Sequence, residues 1–377
     1  MVPQVIRLSF SGQVFFVYPK VNAEELEVST MKKKLKVTIA ALLMTSLFGC
    51  GSSTSASSAS SSQSETYHVT IIKQLDHASI DEIAKAITAR LDQIADEKGV
   101  TIEYGEVYSG QNDQATIRQI TDQAVNEGVD AIIPIATMAA QTAVTSALGT
   151  ETKVVFAAVS DPESAELVDF DNVTGTSDAL STEVIFDMMK AADPDLDKVG
   201  LLYSLSEINS EKPIKEAKAY CDANGIEYVQ ATGNTNDEII SAVTSLISED
   251  VDAIFTPTDN VVMANELAIA PVLAEKGIPH YTGADSFALN GAFVGYGVDY
   301  ANLGQKTADM IADILVDNAD PAKTAVETFD NGTATVNTET CKELGLDFDT
   351  VKKAFEPLCT QVNEITTAES FDEVETK

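Results

Sequence analysis

From His68 onward the chain alternates short apolar runs with amphipathic segments, and this alternation limits the folds that it can adopt. The apolar runs at residues 69–72 and 129–135 suit buried strands, whereas residues 80–95 repeat their apolar side chains at helical spacing. Strands and helices that alternate in this way build parallel sheets, and the pattern restarts after residue 177. We therefore predict an α/β protein with two doubly wound parallel-sheet lobes.

A second constraint lies ahead of this region. Residues 31–49 combine a lysine-rich start with a short apolar core, which is typical of a secretory signal peptide and too short for a permanent membrane span. The segment ends in Leu47-Phe48-Gly49-Cys50, which resembles a bacterial lipobox and implies lipidation of Cys50. An ordinary signal peptide with a chance cysteine is the alternative. The Ser-rich residues 50–66 then form a tether, so we expect an extracytoplasmic protein held to the cell membrane by lipid only.

The segments at the two ends of the chain, residues 1–30 and 361–377, lie outside the signal peptide, the tether and the two lobes. A signal peptide ordinarily opens a chain, so we interpret residues 1–30 as an upstream start-site extension and Met31 as the start. A genuine extended N-terminus is the alternative. At the other end, the acidic residues 361–377 are expected to be loosely held.

Charge and cysteine content exclude several classes of partner. The net charge of −35 repels nucleic acid, so no nucleic-acid partner is expected. Besides Cys50, the chain has Cys221, Cys341 and Cys359, an odd number that allows at most one disulfide within a monomer, with Cys341 and Cys359 nearest in sequence. No His or Cys spacing indicates a metal site. We predict a monomer without metal or cofactor.

Catalytic motifs are missing from the sequence. It contains no GxSxG, GxxxxGK[ST] or GxGxxG string, and its carboxylates are scattered as on a solvated acidic surface. We therefore predict no catalytic residues. A surface hydrolase remains a distant alternative, which requires a nucleophile–base pair that the sequence does not reveal.

Several short strings in the chain match one family in order. They are Leu75-Asp76-His77-Ala78-Ser79, Pro134-Ile135-Ala136-Thr137, Val159-Ser160-Asp161-Pro162, Val173-Thr174-Gly175-Thr176-Ser177-Asp178, Pro257-Thr258-Asp259-Asn260 and Gly297-Val298-Asp299-Tyr300. Over residues 67–320 the chain resembles the ABC-importer solute-binding lipoproteins whose characterised relatives bind aromatic amino acids such as tryptophan. The resemblance implies a type I periplasmic-binding-protein fold that captures a small-molecule solute and delivers it to ABC permease and ATPase subunits.

The same resemblance implies lobe boundaries. On this model the chain crosses between lobes near Asp178, near Gly291 and near Ala322, which form a three-strand hinge. The first lobe then comprises residues 67–177 and 291–321, and the second comprises residues 178–290 and 322–360.

The matching strings fall at the carboxyl ends of predicted strands, where open parallel sheets bind ligands. The candidate ligand-binding residues are Ser79, Tyr108, Ala136, Thr137, Ser160, Asp161, Thr176, Ser177, Asp178, Asn209, Asp259, Asn260 and Asp285. Local structural roles remain open for some of them. Ser79 and Glu82 form a capping-box pattern, Thr137 can cap its helix, and residues 160–162 can be a plain turn.

An amino-acid ligand needs partners for its ammonium, its carboxylate and its side chain. Asp259 is the first choice for the ammonium, with Asp285 and Asp161 in reserve, although any of these can instead be a helix N-cap. The helix that starts at Thr137, and the hydroxyls of Thr176 and Ser177, suit the carboxylate. Aromatic side chains for a ring-binding wall, each of which can equally be core, are Tyr108, Tyr203, Phe287 and Tyr296. A nucleoside or other heterocycle is the alternative ligand, and a ligand-sensor subunit is the alternative role.

Overall fold

The computed structural model describes residues 6–10, 13–17, 65–329 and 332–374. The predicted signal peptide, Cys50 and nearly all of the tether lie outside these residues. Within the first thirty residues, β1 (Ile6–Phe10) and β2 (Gln13–Val17) pair in antiparallel register, Ile6 opposite Val17. Whether this segment is a start-site extension stays a prediction.

The remaining elements alternate as the sequence predicts. The strands are β3 (Thr66–Lys73), β4 (Thr101–Glu103), β5 (Val107–Ser109), β6 (Ala131–Ile135), β7 (Lys153–Phe156), β8 (Val173–Ser177), β9 (Lys198–Tyr203), β10 (Glu227–Thr232), β11 (Ala253–Thr256), β12 (His280–Thr282), β13 (Val294–Gly297), β14 (Glu327–Thr328), β15 (Thr333–Asn337) and β16 (Gln361–Ile365). The helices are α1 (Ala78–Lys98), α2 (Gln114–Glu127), α3 (Thr137–Ala147), α4 (Thr182–Ala192), α5 (Glu211–Asn224), α6 (Asn236–Ser248), α7 (Asn260–Met263), α8 (Glu266–Glu275), α9 (Asp285–Leu289), α10 (Tyr300–Leu315), α11 (Thr338–Glu343), α12 (Phe348–Phe355) and α13 (Phe371–Val374).

The first lobe is built on a parallel sheet in the order β14-β8-β7-β6-β3-β4, with β5 also paired to β3. Its central strand β6 is buried along its whole length, which explains the continuous apolar run in the sequence. Helix α1 packs on this lobe through a stripe that includes Ile83, Ile87 and Leu91. The short strand β5 has no counterpart among the predicted strands.

The second lobe contains a sheet in the order β10-β9-β11-β12-β13-β15-β16. Its strands are parallel except between β13 and β15, where Val294 lies opposite Val336 in antiparallel register. The prediction of two lobes with largely parallel sheets is confirmed, and this antiparallel pair is the exception within the second sheet.

The crossings differ from two of the three expected positions. Strand β13 pairs with β12 and β15, so residues 294–297 belong to the second lobe and the chain crosses after Gly297 rather than near Gly291. The following helix α10 packs on α1, so closely that a β-carbon at Gly304 would lie 2.7 Å from Ile83 O. Strand β14 pairs with β8, so the third crossing follows Thr328 rather than lying near Ala322. Hydrophobic pattern locates a strand but does not reveal which sheet it joins.

The C-terminal segment also differs from expectation. Residues 361–365 form β16, which pairs with β15 from Thr333↔Gln361 to Asn337↔Ile365, and α13 follows it. The expectation of a loosely held tail beyond residue 360 was wrong for the part up to residue 374. The acidic side chains of this segment suggested a solvated tail, but the backbone of residues 361–365 is paired with β15.

The cysteines and helices bear on two further expectations. In the described part of the chain Cys221 and Cys341 are buried free thiols, and Cys359 is a half-buried free thiol. The possible Cys341–Cys359 disulfide is therefore not formed in this structure. Among the described helices, none combines the length and apolarity that a membrane crossing needs.

Candidate ligand-binding site

Loops at the carboxyl ends of the strands of both sheets enclose a cavity. The first lobe contributes the starts of α1, α3 and α10, and the second contributes the loops before α5, α7 and α9. The cavity therefore lies where parallel sheets place their ligands.

One wall of the cavity is apolar. Ile80 and Ile83 come from the first turns of α1, Met263 from the end of α7 and Phe287 from α9. All four side chains are at most 2% exposed, so the wall is largely closed to water. The predicted aromatic contribution of Phe287 is therefore available to a ligand. Tyr203 and Tyr296 instead pack in the core of the second lobe.

The start of α3 forms a different part of the wall. Ala136, its N-cap, has φ 75° and ψ 168°, a conformation that is almost restricted to glycine and costs of order 1–3 kcal/mol. No side chain caps this helix, so the capping role considered for Thr137 is wrong. Met138 N donates to Gln74 Oε1 at 3.0 Å, whereas the first helical N–H, at Thr137, has no partner within the helix. The helix start thus presents donors and a positive dipole end to the cavity.

Asp178 provides a negative group at the cavity wall. Its Oδ1 accepts from Ser160 Oγ at 2.9 Å and its Oδ2 accepts from Tyr300 OH at 3.0 Å. The residue is 5% exposed, and burial raises the pKa of its carboxyl above the usual value. Ser160 Oγ also shares a hydrogen bond of 3.0 Å with Thr258 Oγ1 of the second lobe. Asp178 is therefore placed to face a ligand from the first lobe.

Asp259, the first choice for the ammonium, has a structural role. Its Oδ1 accepts from Val262 N at 3.0 Å as the N-cap of α7. Its Oδ2 accepts from Ser204 N and from Ser210 Oγ, each at 2.7 Å. The side chain is fully buried, and burial raises the pKa of its carboxyl. The capping alternative that the sequence left open describes this residue, because its carboxylate caps α7 and accepts three hydrogen bonds from protein donors.

Two other polar side chains at or beside the cavity each have a buried oxygen with no hydrogen-bond donor among the described residues. Asn209 donates from Nδ2 to Thr258 O at 2.6 Å, but its buried Oδ1 accepts no hydrogen bond from the described residues. Asn209 lines the cavity, which makes this oxygen a candidate ligand acceptor. Asp285 Oδ1 is also buried without a donor among those residues, and burial raises the pKa of this carboxyl to about 7. Asp285 lies beside the cavity wall formed by Ala284 and Ser286 rather than in it.

A hydrogen-bond network joins the two lobes beside the cavity. Gln74 Nε2 of the first lobe donates to Glu207 Oε1 at 2.8 Å, and Asn260 Nδ2 donates to Glu207 Oε2 at 2.7 Å. His77 Nε2 lies 3.0 Å from Asn260 Oδ1 and donates to it, because His77 Nδ1 accepts from Ile80 N at 3.5 Å. Burial, and then the charge of Asp259, raises the pKa of Glu207, while burial lowers the pKa of His77.

Ser79 makes a direct contact across the cleft. Its Oγ donates to Ser286 Oγ at 2.5 Å, and Ser286 Oγ in turn donates to Met263 Sδ at 3.3 Å. The capping box expected from Ser79 and Glu82 is wrong, because α1 begins at Ala78 and its N-cap is His77. Because His77 caps the helix, the Ser79 hydroxyl is available for a hydrogen bond between the lobes.

Several predicted site residues lie away from the cavity walls. Tyr108 is 36% exposed on β5, and Asp161 forms a turn through Ser164 N at 3.1 Å. Thr176 Oγ1 shares a hydrogen bond of 2.9 Å with Thr307 Oγ1, and Ser177 Oγ donates to Ser160 O at 3.3 Å. The predicted residues that do line the cavity are Ser79, Ala136, Thr137, Ser160, Asp178, Asn209, Asp259 and Asn260.

Other residues of the site were not predicted. Gln74 and Glu207 belong to the network between the lobes, and His77 and Tyr300 line the cavity. His77 and Tyr300 stand inside the matching sequence strings, and Glu207 stands in a loop at a strand end, so position gave a signal. The residue types of Gln74 and Glu207 gave no such signal, because a lone Gln or Glu is usually a solvated side chain.

Comparison with known proteins gives consistent results. A family model described as ABC transporter substrate binding protein matches residues 68–355. A curated relative, the "Tyrosine-binding protein" of Clostridioides difficile (strain R20291), is 28% identical over 325 residues, which cover 84% of this chain and 93% of the relative.

Solved structures of similar proteins agree with this family. The ABC domain in complex with L-Trp from Streptococcus pneumonia is 29% identical, with a TM-score of 0.71, and covers 79% of this chain and 100% of the other. The ligand-free, open structure of a substrate binding protein with adhesive properties from Clostridium difficile is 25% identical, with a TM-score of 0.59, and covers 80% of this chain and 100% of the other. The predicted type I periplasmic-binding-protein fold is confirmed, and the lobes of this chain are closed on each other.

Proposed function

The chain belongs to the family of ABC transporter substrate binding proteins, and from that membership we propose that it captures an aromatic amino acid between its lobes. One observation carries this proposal. The cavity combines an apolar wall, a buried carboxylate at Asp178 and an open helix start at Thr137. These are the three kinds of partner that the side chain, ammonium and carboxylate of an aromatic amino acid require.

The ligand is held by groups from both lobes. Its carboxylate accepts hydrogen bonds from the start of α3 and from the Thr137 hydroxyl. Its ammonium donates to Asp178 and to the unsatisfied Oδ1 of Asn209, which come from opposite lobes. Its ring lies against Ile80, Met263 and Phe287. Ligand contacts in both lobes favour the closed state, because the ligand binds that state more tightly than the open one.

The relatives support the choice of ligand. The curated relative is named for tyrosine, and the structural neighbour with the TM-score of 0.71 holds L-Trp. Both ligands are amino acids with a large ring that carries one polar group. A nucleoside or another small heterocycle is the alternative, since its flat ring also suits an apolar wall.

The location and partners follow from the same role. A signal peptide at residues 31–49 directs the protein outside the cytoplasmic membrane, and a lipid on Cys50 retains it there. The residues 50–66 act as a tether, and the two-lobed monomer delivers its solute to an ABC permease driven by an ATPase. A sensor subunit with the same fold is the alternative role, and adjacent permease and ATPase genes distinguish an importer from a sensor.

A calorimetric binding panel on the purified protein tests the ligand assignment. L-tryptophan, L-tyrosine and L-phenylalanine are compared with L-leucine, adenosine, uridine and glucose. We expect the aromatic amino acids to bind most tightly, with loss of binding for their N-acetyl derivatives, which lack the ammonium. Tighter binding of a nucleoside, or equal binding of N-acetylated tryptophan, contradicts the assignment. Detection of lipid on Cys50 by mass spectrometry tests the anchor.

A further inference from the structure

The C-terminal segment 366–374 begins on the second lobe and ends on the first. Ala368 N donates to Leu289 O at 2.9 Å, and Asn290 Nδ2 donates to Ala368 O at 2.7 Å, so this part is fixed at the end of α9. A short distance along the chain, Asp372 forms an ion pair with Lys85 of α1. We call residues 366–374 the C-terminal strap.

The strap places an aromatic ring on the first lobe. Phe371 is half-buried and lines a groove between α1 and α10, whose other walls include Ala86, Ala89 and Ala301. These small side chains leave a concave surface that accommodates a large ring. Lys85 and Asp372 have side chains that are 64% and 68% exposed, so their ion pair contributes little. Burial of Phe371 is therefore a favourable term for seating the strap on the first lobe.

The two helices that the strap connects both line the ligand cavity. Helix α1 contributes Ser79 and α9 contributes Ser286, and these two hydroxyls are hydrogen-bonded across the cleft. Opening the cleft separates α1 from α9. Because the strap is fixed to α9 through Ala368 and reaches α1 only a few residues later, it must leave one of the two helices when the cleft opens.

We propose that the C-terminal strap is a latch on the closed state, in which Phe371 and Asp372 are positioning residues that slow release of the ligand without touching it. The effect is a shift of population, since the apparent affinity of a binding protein scales with the fraction in its binding-competent state. The identity of the ligand rests on the proposed function, whereas the effect of the strap on lobe closure does not.

Two measurements on the purified full chain test the latch. Stopped-flow fluorescence gives the release rate of L-tryptophan, and small-angle X-ray scattering gives the radius of gyration without ligand. Phe371→Ala is expected to raise the release rate roughly tenfold, with little change in the association rate, and to increase the radius of gyration of the ligand-free protein. Phe371→Leu is expected to retain most of the wild-type behaviour, because leucine still fills the groove.

Control variants separate the latch from a general loss of apolar surface. Leu346→Ala removes another exposed apolar side chain of the second lobe, 38% exposed and outside the strap, and should change neither measurement. Asp372→Lys is expected to raise the release rate by no more than about threefold at low salt, and Lys85→Asp in the same chain should restore it.

The outcomes distinguish the latch from the ligand assignment. If Phe371→Ala releases L-tryptophan at the wild-type rate with an unchanged radius of gyration, the latch is overturned. If the wild-type chain binds no aromatic amino acid, the ligand assignment fails and the scattering comparison alone decides the latch. An unchanged radius of gyration then overturns the latch, and an increase supports it.

Discussion

Gln74 Nε2 of the first lobe and Glu207 Oε1 of the second lobe are joined by a hydrogen bond of 2.8 Å, although 133 positions separate them in sequence. Both side chains are nearly inaccessible to solvent, and Glu207 also accepts from Asn260. A hydrogen bond in such surroundings is stronger than one in water. The closed arrangement therefore includes polar contacts between the lobes that do not involve the ligand.

The Gln74–Glu207 contact predicts coupling between the two residues in ligand affinity. Gln74→Leu and Glu207→Gln each weaken the closed state, and the double variant is expected to be weaker than the wild type by less than the sum of the two. We expect an interaction energy of about 1–2 kcal/mol in a double-mutant cycle on the dissociation constant for L-tryptophan. Strict additivity of the two effects contradicts a direct role for this hydrogen bond.

Asp178 and Asp259 are expected to give opposite results when their charge is removed. Asp178→Asn keeps hydrogen-bonding capacity for Ser160 and Tyr300 but removes the charge that faces the ligand. It is expected to weaken amino-acid binding roughly 10- to 100-fold with little loss of folding stability. Titration calorimetry and urea unfolding measure the two quantities.

Asp259→Ala is the matched counterpart, because it leaves buried donors of Ser204 and Ser210 without an acceptor. It is expected to lower the free energy of unfolding by about 3 kcal/mol or more. If the Asp259→Ala protein is stable but has lost affinity for the amino acid, Asp259 rather than Asp178 binds the ammonium of the ligand.

Ala136 is expected to tolerate glycine unusually well. At φ 75° and ψ 168° glycine removes backbone strain of about 1–3 kcal/mol, which offsets the loss of a buried methyl group and the greater freedom of the unfolded chain. Ala136→Gly should therefore leave the free energy of unfolding unchanged or raise it by about 1 kcal/mol. Ala140→Gly, in the interior of the same helix, should lower it by about 1 kcal/mol or more. Chemical denaturation measures the free energy of unfolding of both variants. Equal losses in the two variants contradict the presence of backbone strain at Ala136.

The raised pKa of Asp285 predicts that the free energy of unfolding falls as pH rises. Burial raises the pKa of its carboxyl in the folded state to about 7, above the ordinary value near 3.8. The folded protein thus binds this proton more tightly than the unfolded chain, so the stabilisation is present below pH of about 4 and is lost as pH rises through about 7. Asp285→Asn is expected to raise the free energy of unfolding by about 1–3 kcal/mol at pH 8 and to change it little at pH 4.5.

A matched control separates this effect from the net charge of −35. Asp222→Asn removes one charge from the exposed surface of α5 and should shift stability by a similar small amount at both pH values. Urea unfolding at pH 4.5 and pH 8 provides the comparison. A gain from Asp285→Asn that is equal at the two pH values contradicts the raised pKa.

Two parts of the site show what local sequence information predicts and what depends on long-range contacts. Ala136 and Thr137 could be placed in the site from sequence, because a loop at the carboxyl end of a buried strand lies at the ligand edge of a parallel sheet. Asp259 could be placed there for the same reason, and capping of the next helix was one of the roles that the sequence left open for it. The two donors to its Oδ2, Ser204 and Ser210, could not be foreseen, because they are distant in sequence and reach Asp259 only through the pairing of β9 with β11.

The order of residues by itself determined the alternation of strands and helices, the two parallel-sheet lobes and the edge of each sheet at which the site lies. These features follow from hydrophobic periodicity and chain direction, which are local properties. Only the tertiary structure decided that β13 joins the second sheet, that the strap reaches the first lobe, and that three protein donors occupy the carboxylate of Asp259. Each of these depends on which distant donors, acceptors and apolar surfaces meet when the sheets assemble, and hydrophobic periodicity does not encode those pairings.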